Sequence, residues 1–135
     1  MRYTDSACCL SPAQLQGFFM GWPTPPSPET HLSLLRQSDA VVLAMDEATD
    51  NVVGFINAIT DHVLTAYIPL LEVLPAYQGQ GIGQELVCRM FAKLDGFYAI
   101  DLLCDPELQS FYGQAGMRPA HAMMVRRYQF QSGRI

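Results

Sequence analysis

At 135 residues, half of them apolar and only 16% charged, the chain has the length and composition of one compact domain, residues 1–135, able to bury roughly two-thirds of its unfolded surface. The formal charge of −5 and the pI near 4.9 argue against a basic nucleic-acid surface, and no apolar run approaches the ~18 residues of a membrane span. With no charged segment ahead of an apolar stretch at the start, the expectation is a cytoplasmic protein with no nucleic-acid and no membrane partner.

Residues 2–5 can form a short first strand. Ser11-Pro12 then supplies a helix start, serine as N-cap and proline at N1, with Leu15, Phe18 and Phe19 as the buried stripe and Gly21 as the end. Pro23, Pro25, Pro26 and Pro28 exclude helix or ladder from the loop that follows. A second helix begins at Ser27-Pro28-Glu29, where Glu29 suits the positive end of the helix dipole, and carries Leu32, Leu34 and Leu35.

Near-continuous apolar runs come next, at residues 40–45, 52–59 and 63–73. The polar turn 46–51 folds the first two into a hairpin, and the unbroken apolar character fits strands covered on both faces. Pro69 interrupts the third run. It lacks a ladder N–H, so it marks an edge, a bulge or a place where neighbouring strands part. After the Asp95-Gly96 turn, residues 98–104 read as another strand, and residues 123–128 as the last. Cys8, Cys9, Cys88 and Cys104 form no C-x-x-C pair and the three histidines lie far apart, so neither a metal site nor a disulfide framework is expected.

Between the third run and the 98–104 strand lies the most informative stretch. Ile82, Leu86, Val87, Met90, Phe91 and Leu94 share one helical face while Glu85, Arg89 and Lys93 share the other. Gly79, Gly81 and Gly83 sit where that helix begins. The first helical turn leaves backbone N–H groups unpaired and carries partial positive charge, so it suits a phosphate. Glycines remove the Cβ atoms that would hold an anion away. The spacing fails the dinucleotide G-x-G-x-x-G pattern, because Gln84 and Leu86 stand at the third-glycine positions. It also fails the phosphate-loop G-K-[S/T], because Lys93 is the sole lysine.

Gln78-x-x-Gly81-x-Gly83 resembles the Q/R-x-x-G-x-G/A acetyl-coenzyme A loop of the GCN5-related N-acetyltransferases. A second match follows about thirty residues later, where Phe111-Tyr112 precedes Gly116-Met117 at the spacing of that superfamily's F/L-Y-x-x-x-G-F segment. The resemblance implies a single α/β (α+β) domain. Its central sheet is mixed and mostly antiparallel, with helices on both faces and the fourth and fifth strands, here residues 63–73 and 98–104, splayed apart. It implies acetyl-CoA as cosubstrate, no metal, and direct transfer to a small-molecule or peptide amine in a ternary complex. A homodimer is left open.

By the same resemblance, Gln78, Gly79, Gln80, Gly81, Ile82, Gly83 and Gln84 would hold the pyrophosphate. Leu71 and Val73 would offer backbone groups to the pantetheine arm. Asp105 stands where the family usually has asparagine, and as an N-cap before Pro106 it has a local reason to be there. Tyr112 matches the tyrosine that protonates or hydrogen-bonds the departing sulfur, although it also lies on an apolar stripe with Leu108 and Phe111. Glu72 is the first candidate for general base, with Tyr67 and Asp101 behind it. Phe19 and Trp22, at the loop that borders the acceptor pocket in similar proteins, would form an aromatic wall, and Tyr67 would join them in binding the acceptor. Two other classes fit the glycine loop: a domain that binds acyl-CoA and regulates a partner without turnover, and a nucleotide-binding module.

Overall fold

The computed structural model describes residues 1–134. Six strands form its sheet: β1 (Arg2–Thr4), β2 (Ala40–Asp46), β3 (Asn51–Thr60), β4 (Thr65–Ile68), β5 (Leu71–Val73) and β6 (Ala99–Leu102). They lie in the order β1-β2-β3-β4-β6, with β5 continuing alongside β3. The pairs are antiparallel except β4 with β6, which is parallel.

Helix α1 (Pro28–Gln37) starts at Ser27, whose Oγ accepts the Thr30 N–H at 3.1 Å, and packs Leu32 and Leu35 with Val41, Leu43 and Phe55 of the sheet. Helix α2 (Ile82–Lys93) covers the opposite face, burying Ile82, Leu86, Val87 and Met90 with Val42, Ala44 and Ile56. The short α3 (Gln109–Gly113) joins that side through Tyr112. The alternation within β2 explains how one strand serves two cores: successive side chains point to opposite faces.

Three sequence expectations need correction. No helix forms after Ser11. Residues Pro12–Gln14 make one 3-10 turn, because Gln14 is drawn outward to the Asp50 carbonyl at 2.7 Å, and Gly17 (φ +91°) and Phe19 (φ +64°) then reverse the chain. Leu15 and Phe19 are buried all the same. Residues 123–128 form no strand; they are exposed and carry no regular structure up to a 3-10 turn at Tyr128–Phe130. The 63–73 strand is two strands, β4 and β5, broken at Pro69-Leu70. Val63 and Leu64 stay outside as a turn, where Asp61 Oδ1 accepts the N–H groups of Leu64, Val63 and Thr65 at 2.8–3.0 Å. Those bonds hold the Asp61 carboxyl down at about 2.

The break is stitched by one buried polar side chain. Asn57, in the middle of β3, donates its backbone N–H to the Leu70 carbonyl at 3.2 Å and accepts the Leu70 N–H on Oδ1 at 3.1 Å. Its Nδ2 donates to Ser38 Oγ at the end of α1, 3.0 Å away. Replacing Asn57 with leucine would leave the Leu70 N–H buried without a partner, a loss of about 1–3 kcal/mol. Chemical denaturation is expected to read that loss, and an unchanged midpoint would contradict the role given to Asn57.

Beyond the break, β6 follows β4 and β5 follows β3, so the two strands part. Ladder bonds from Leu74 N–H to Val53 and from Asn57 N–H to Leu70 fix which residues of β5 face β3. They are the even-numbered ones, and the backbone groups of Leu71 and Val73 therefore face the gap.

Candidate active site

Three structural pieces meet at β5. The first is the turn after it. Pro75–Tyr77 form a 3-10 turn, then Gly79 (φ +79°) and Gly81 (φ +83°) adopt left-handed backbone, and Gly81 caps α2. A Cβ at either position would meet no heavy atom of the described residues within 4 Å, so none of them fills this cradle. The Glu85 N–H gives the first helical bond, to the Gly81 carbonyl at 3.1 Å. The N–H groups of Ile82, Gly83 and Gln84 thus precede any intrahelical bond and remain available to an anion. Gly83 serves differently: a Cβ there would press on the Phe111 ring at 3.3 Å, so its absence lets α3 approach α2. Gln84 Nε2 completes that contact by donating to Gln114 Oε1 at 2.7 Å. Gln80 is exposed on the same turn.

The second piece is the open edge of β5. Gln78, the first residue of the glycine-loop pattern, donates Nε2 to the Val73 carbonyl at 3.0 Å. That bond covers one of the four backbone groups facing the gap.

The third is a cleft of about 310 Å³ on the α1 side of β5, walled by Phe19, Trp22 and Phe55 and floored by Leu71, Glu72 and Val73. Glu72 lies opposite Phe55 in the ladder. Its Oε1 accepts the Phe19 N–H at 2.8 Å and its Oε2 the Met20 N–H at 3.3 Å. The carboxylate therefore holds Phe19 in its left-handed conformation, a strain that a non-glycine residue sustains only with such support.

Tyr112 sits across the sheet from that cleft, on the α2 side, 9% exposed and edge-on to Phe111 with ring centroids 5.0 Å apart. Burial, and then the neighbouring Cys104, push its phenol up to about 12, so it stays protonated throughout the neutral range. Asp105 precedes a 3-10 turn at Pro106–Leu108, but its side chain makes no capping bond; only its carbonyl is used, by the Leu108 N–H at 2.9 Å. The expectation of a side-chain N-cap is thereby corrected. Tyr67 and Asp101 are cross-strand neighbours on β4 and β6, and neither lines the cleft.

Sequence reasoning missed Phe55, Leu70 and Asn57. Phe55 and Leu70 reach the cleft only through strand pairing, which no local pattern reveals. A signal did exist for Asn57, the one amide inside an otherwise apolar run.

Behind the cleft, His31 is 1% exposed and enclosed by Phe18, Phe19 and Phe55 at 4.5–5.3 Å between ring centroids. Among the described residues neither ring nitrogen has a hydrogen-bond partner, and desolvation lowers its pKa from 6.5 to about 4. An unfolded imidazole takes up a proton below about 6.5 while the folded one resists until about 4, so stability falls as pH drops through that window, by about 3 kcal/mol in all. Denaturation at pH 7 and near pH 4.5 is expected to show most of this loss in the wild type. A His31→Leu variant should lose that part of the slope, and an unaltered slope would contradict the assignment.

Among the described residues, no group of three or more His, Cys, Asp or Glu could hold a metal ion, and no helix is long and apolar enough to cross a membrane. The model of the acetyltransferase (GNAT) family matches residues 10–117. The chain belongs to the GNAT acetyltransferase family. Within it, the chain is similar to an assigned acetyltransferase from Deinococcus radiodurans R1, at 41% identity and a TM-score of 0.96, over 99% of this chain and 93% of that one. A GNAT family acetyltransferase from Streptococcus pneumoniae TIGR4 shares the fold, with a TM-score of 0.74 at 23% identity over 93% and 98% of the two chains. The uncharacterised N-acetyltransferase ycf52 of Pyropia yezoensis is 27% identical over 100 residues, 72% of this chain. This chain spans 58% of the length of that relative.

Proposed function

We propose that this GNAT member transfers the acetyl group of acetyl-CoA directly to a primary amine within a ternary complex. The observation that carries the reading is the meeting at β5 of an unfilled anion cradle, an open strand edge and an aromatic cleft with a carboxylate. Acetyl-CoA fits these residues: the cradle at Gly79–Gln84 suits its pyrophosphate, and the gap-facing groups of Leu71 and Val73 suit its amide-bearing arm. When bound, it supplies an acyl group activated as a thioester.

The protein's part is to bind, orient and move protons. Backbone N–H groups of residues 81–84 carry the phosphate affinity, since Gln78 and Gln80 bring no charge. A backbone N–H of β5 polarises the carbonyl under attack. The Tyr112 hydroxyl, kept protonated by burial, holds the proton for the departing sulfur. Glu72 attracts the cationic amine and takes its proton directly or through water, while Phe19, Trp22 and Phe55 receive the apolar body of the acceptor. An amine with a hydrophobic or aromatic body, small or peptidic, suits this wall. The cytoplasm is the compartment of this reading, with four free cysteines in keeping with a reducing environment.

The test is turnover of acetyl-CoA against a panel of aromatic and aliphatic amines, reading free thiol and the mass of the acetylated product together. Amine-dependent thiol release with a matching product is expected. Tight coenzyme binding without transfer to any amine would favour a non-catalytic acyl-CoA sensor instead.

A further inference from the structure

Away from the cleft, one pair of nucleophilic side chains stands together in space as well as in sequence. Cys8 and Cys9 are both exposed thiols, and their Sγ atoms lie 3.4 Å apart. They occupy the two central positions of a turn that the Leu10 N–H closes onto the Ala7 carbonyl at 3.3 Å. Arg36 of α1 fixes that turn. Its Nε donates to the Ala7 carbonyl at 3.5 Å, and its Nη2 to the Cys8 and Leu10 carbonyls at 3.4 and 3.1 Å. Ala7 itself is buried, so both thiols are presented on an anchored backbone. Hydrogen bonding to Ser6, and then to Cys9, lowers the Cys8 pKa, which raises the share of the nucleophilic thiolate.

The two sulfurs are poorly placed to bond each other. Adjacent Cα atoms lie about 3.8 Å apart, short of the ~4.4–6.8 Å that disulfides usually span. One bridging atom relieves that strain, and the sulfur separation restricts which atom it is. With bonds of about 2.3 Å from each sulfur, sulfurs 3.4 Å apart subtend roughly 95° at the bridging atom. A linear two-coordinate ion would need them about 4.6 Å apart, twice that bond length. A structural zinc needs four donors, and among the described residues no group of three or more His, Cys, Asp or Glu could hold a metal ion. So narrow an angle belongs to a three-coordinate pyramidal centre bearing a lone pair, as in trivalent arsenic. A third substituent on that centre has a place to go: Leu10, Pro12, Leu32 and Arg36 line a hollow of about 560 Å³ against α1.

We propose that Cys8 and Cys9 form a dithiol site for trivalent organoarsenicals, both sulfurs bonding arsenic while the hollow beside α1 receives its apolar substituent. In the step, two sulfur–arsenic bonds form and two S–H bonds break. The oxygen bound to arsenic leaves with both protons as water. Arsenic stays trivalent, so no oxidant or reductant is consumed. With the second thiol held beside the first, its attachment is intramolecular and strengthens binding by ~10²–10⁴ over a single thiol.

Phenylarsine oxide added to the full chain in excess mercaptoethanol tests this, read by intact mass and by titration of the remaining thiols. One phenylarsenic group per chain is expected, with two of the four free thiols consumed and both restored by dithiothreitol. Cys8→Ser and Cys9→Ser should each weaken capture by ~100-fold or more without changing the melting of the chain, and Cys88→Ser should retain it. Methylarsine oxide should bind less tightly than the phenyl compound, each measured relative to its affinity for free dithiothreitol. Capture that survives either substitution at 8 or 9, or that consumes one thiol per arsenic, would overturn the proposal. Equal relative affinity for the two arsenicals would overturn the part given to the hollow.

Discussion

Tyr112→Phe is expected to lower kcat by ~10²–10⁴, the usual contribution of a positioned general acid, with little change in coenzyme affinity. The size of the effect follows from where the hydroxyl lies. The ring is packed against Phe111 and buried in the α2-side core, so phenylalanine keeps the packing and removes only the proton donor. Burial holds the phenol up at about 12, so the pH–rate profile should show no tyrosine limb near 10. A variant with wild-type kcat would reduce Tyr112 to a packing residue, and steady-state rates at saturating acetyl-CoA decide the point.

Gly81→Val should cost ~100-fold or more in acetyl-CoA affinity, equivalent to losing one or two charge-assisted hydrogen bonds. Two effects act together. Gly81 holds φ at +83°, where a β-branched side chain is strained by about 1–2 kcal/mol, and the new methyl groups would occupy the cradle that the protein itself leaves open. Gly113→Ala is the control, since its φ is not positive and a Cβ there meets nothing within 4 Å. Equal coenzyme affinity in both variants, measured by calorimetry, would mean that the anion sits elsewhere.

The parts of this architecture visible in the sequence are those that local patterns determine. The α2 stripe, the Gly79–Gly83 turn, the Ser27-Pro28 helix start and the 46–51 hairpin turn each depend on residues a few positions apart. Pro69 also spoke correctly of a place where strands part. What escaped depends on distant residues. Ser11-Pro12 promised a helix, yet Glu72, 53 residues after Phe19, holds the Phe19 and Met20 N–H groups in a turn that a helix would not permit. Residues 123–128 read as a strand but find no ladder among the described residues. The sequence marks Glu72 as a base candidate by its place beside the expected acetyl group; the geometry adds that the same carboxylate shapes the wall of the cleft. Phe55 joined the site only because its strand pairs with β5 in that register.

The central claim is that the open cradle at the start of α2 and the unpaired edge of β5 form one coenzyme A site. Calorimetric titration with acetyl-CoA, coenzyme A, ATP and NAD tests it most directly. Micromolar binding of both coenzyme A species, with neither ATP nor NAD competing effectively, is the predicted result. Binding of ATP or NAD with no heat from acetyl-CoA would contradict it, and with it the acetyl-transfer reading of this cleft.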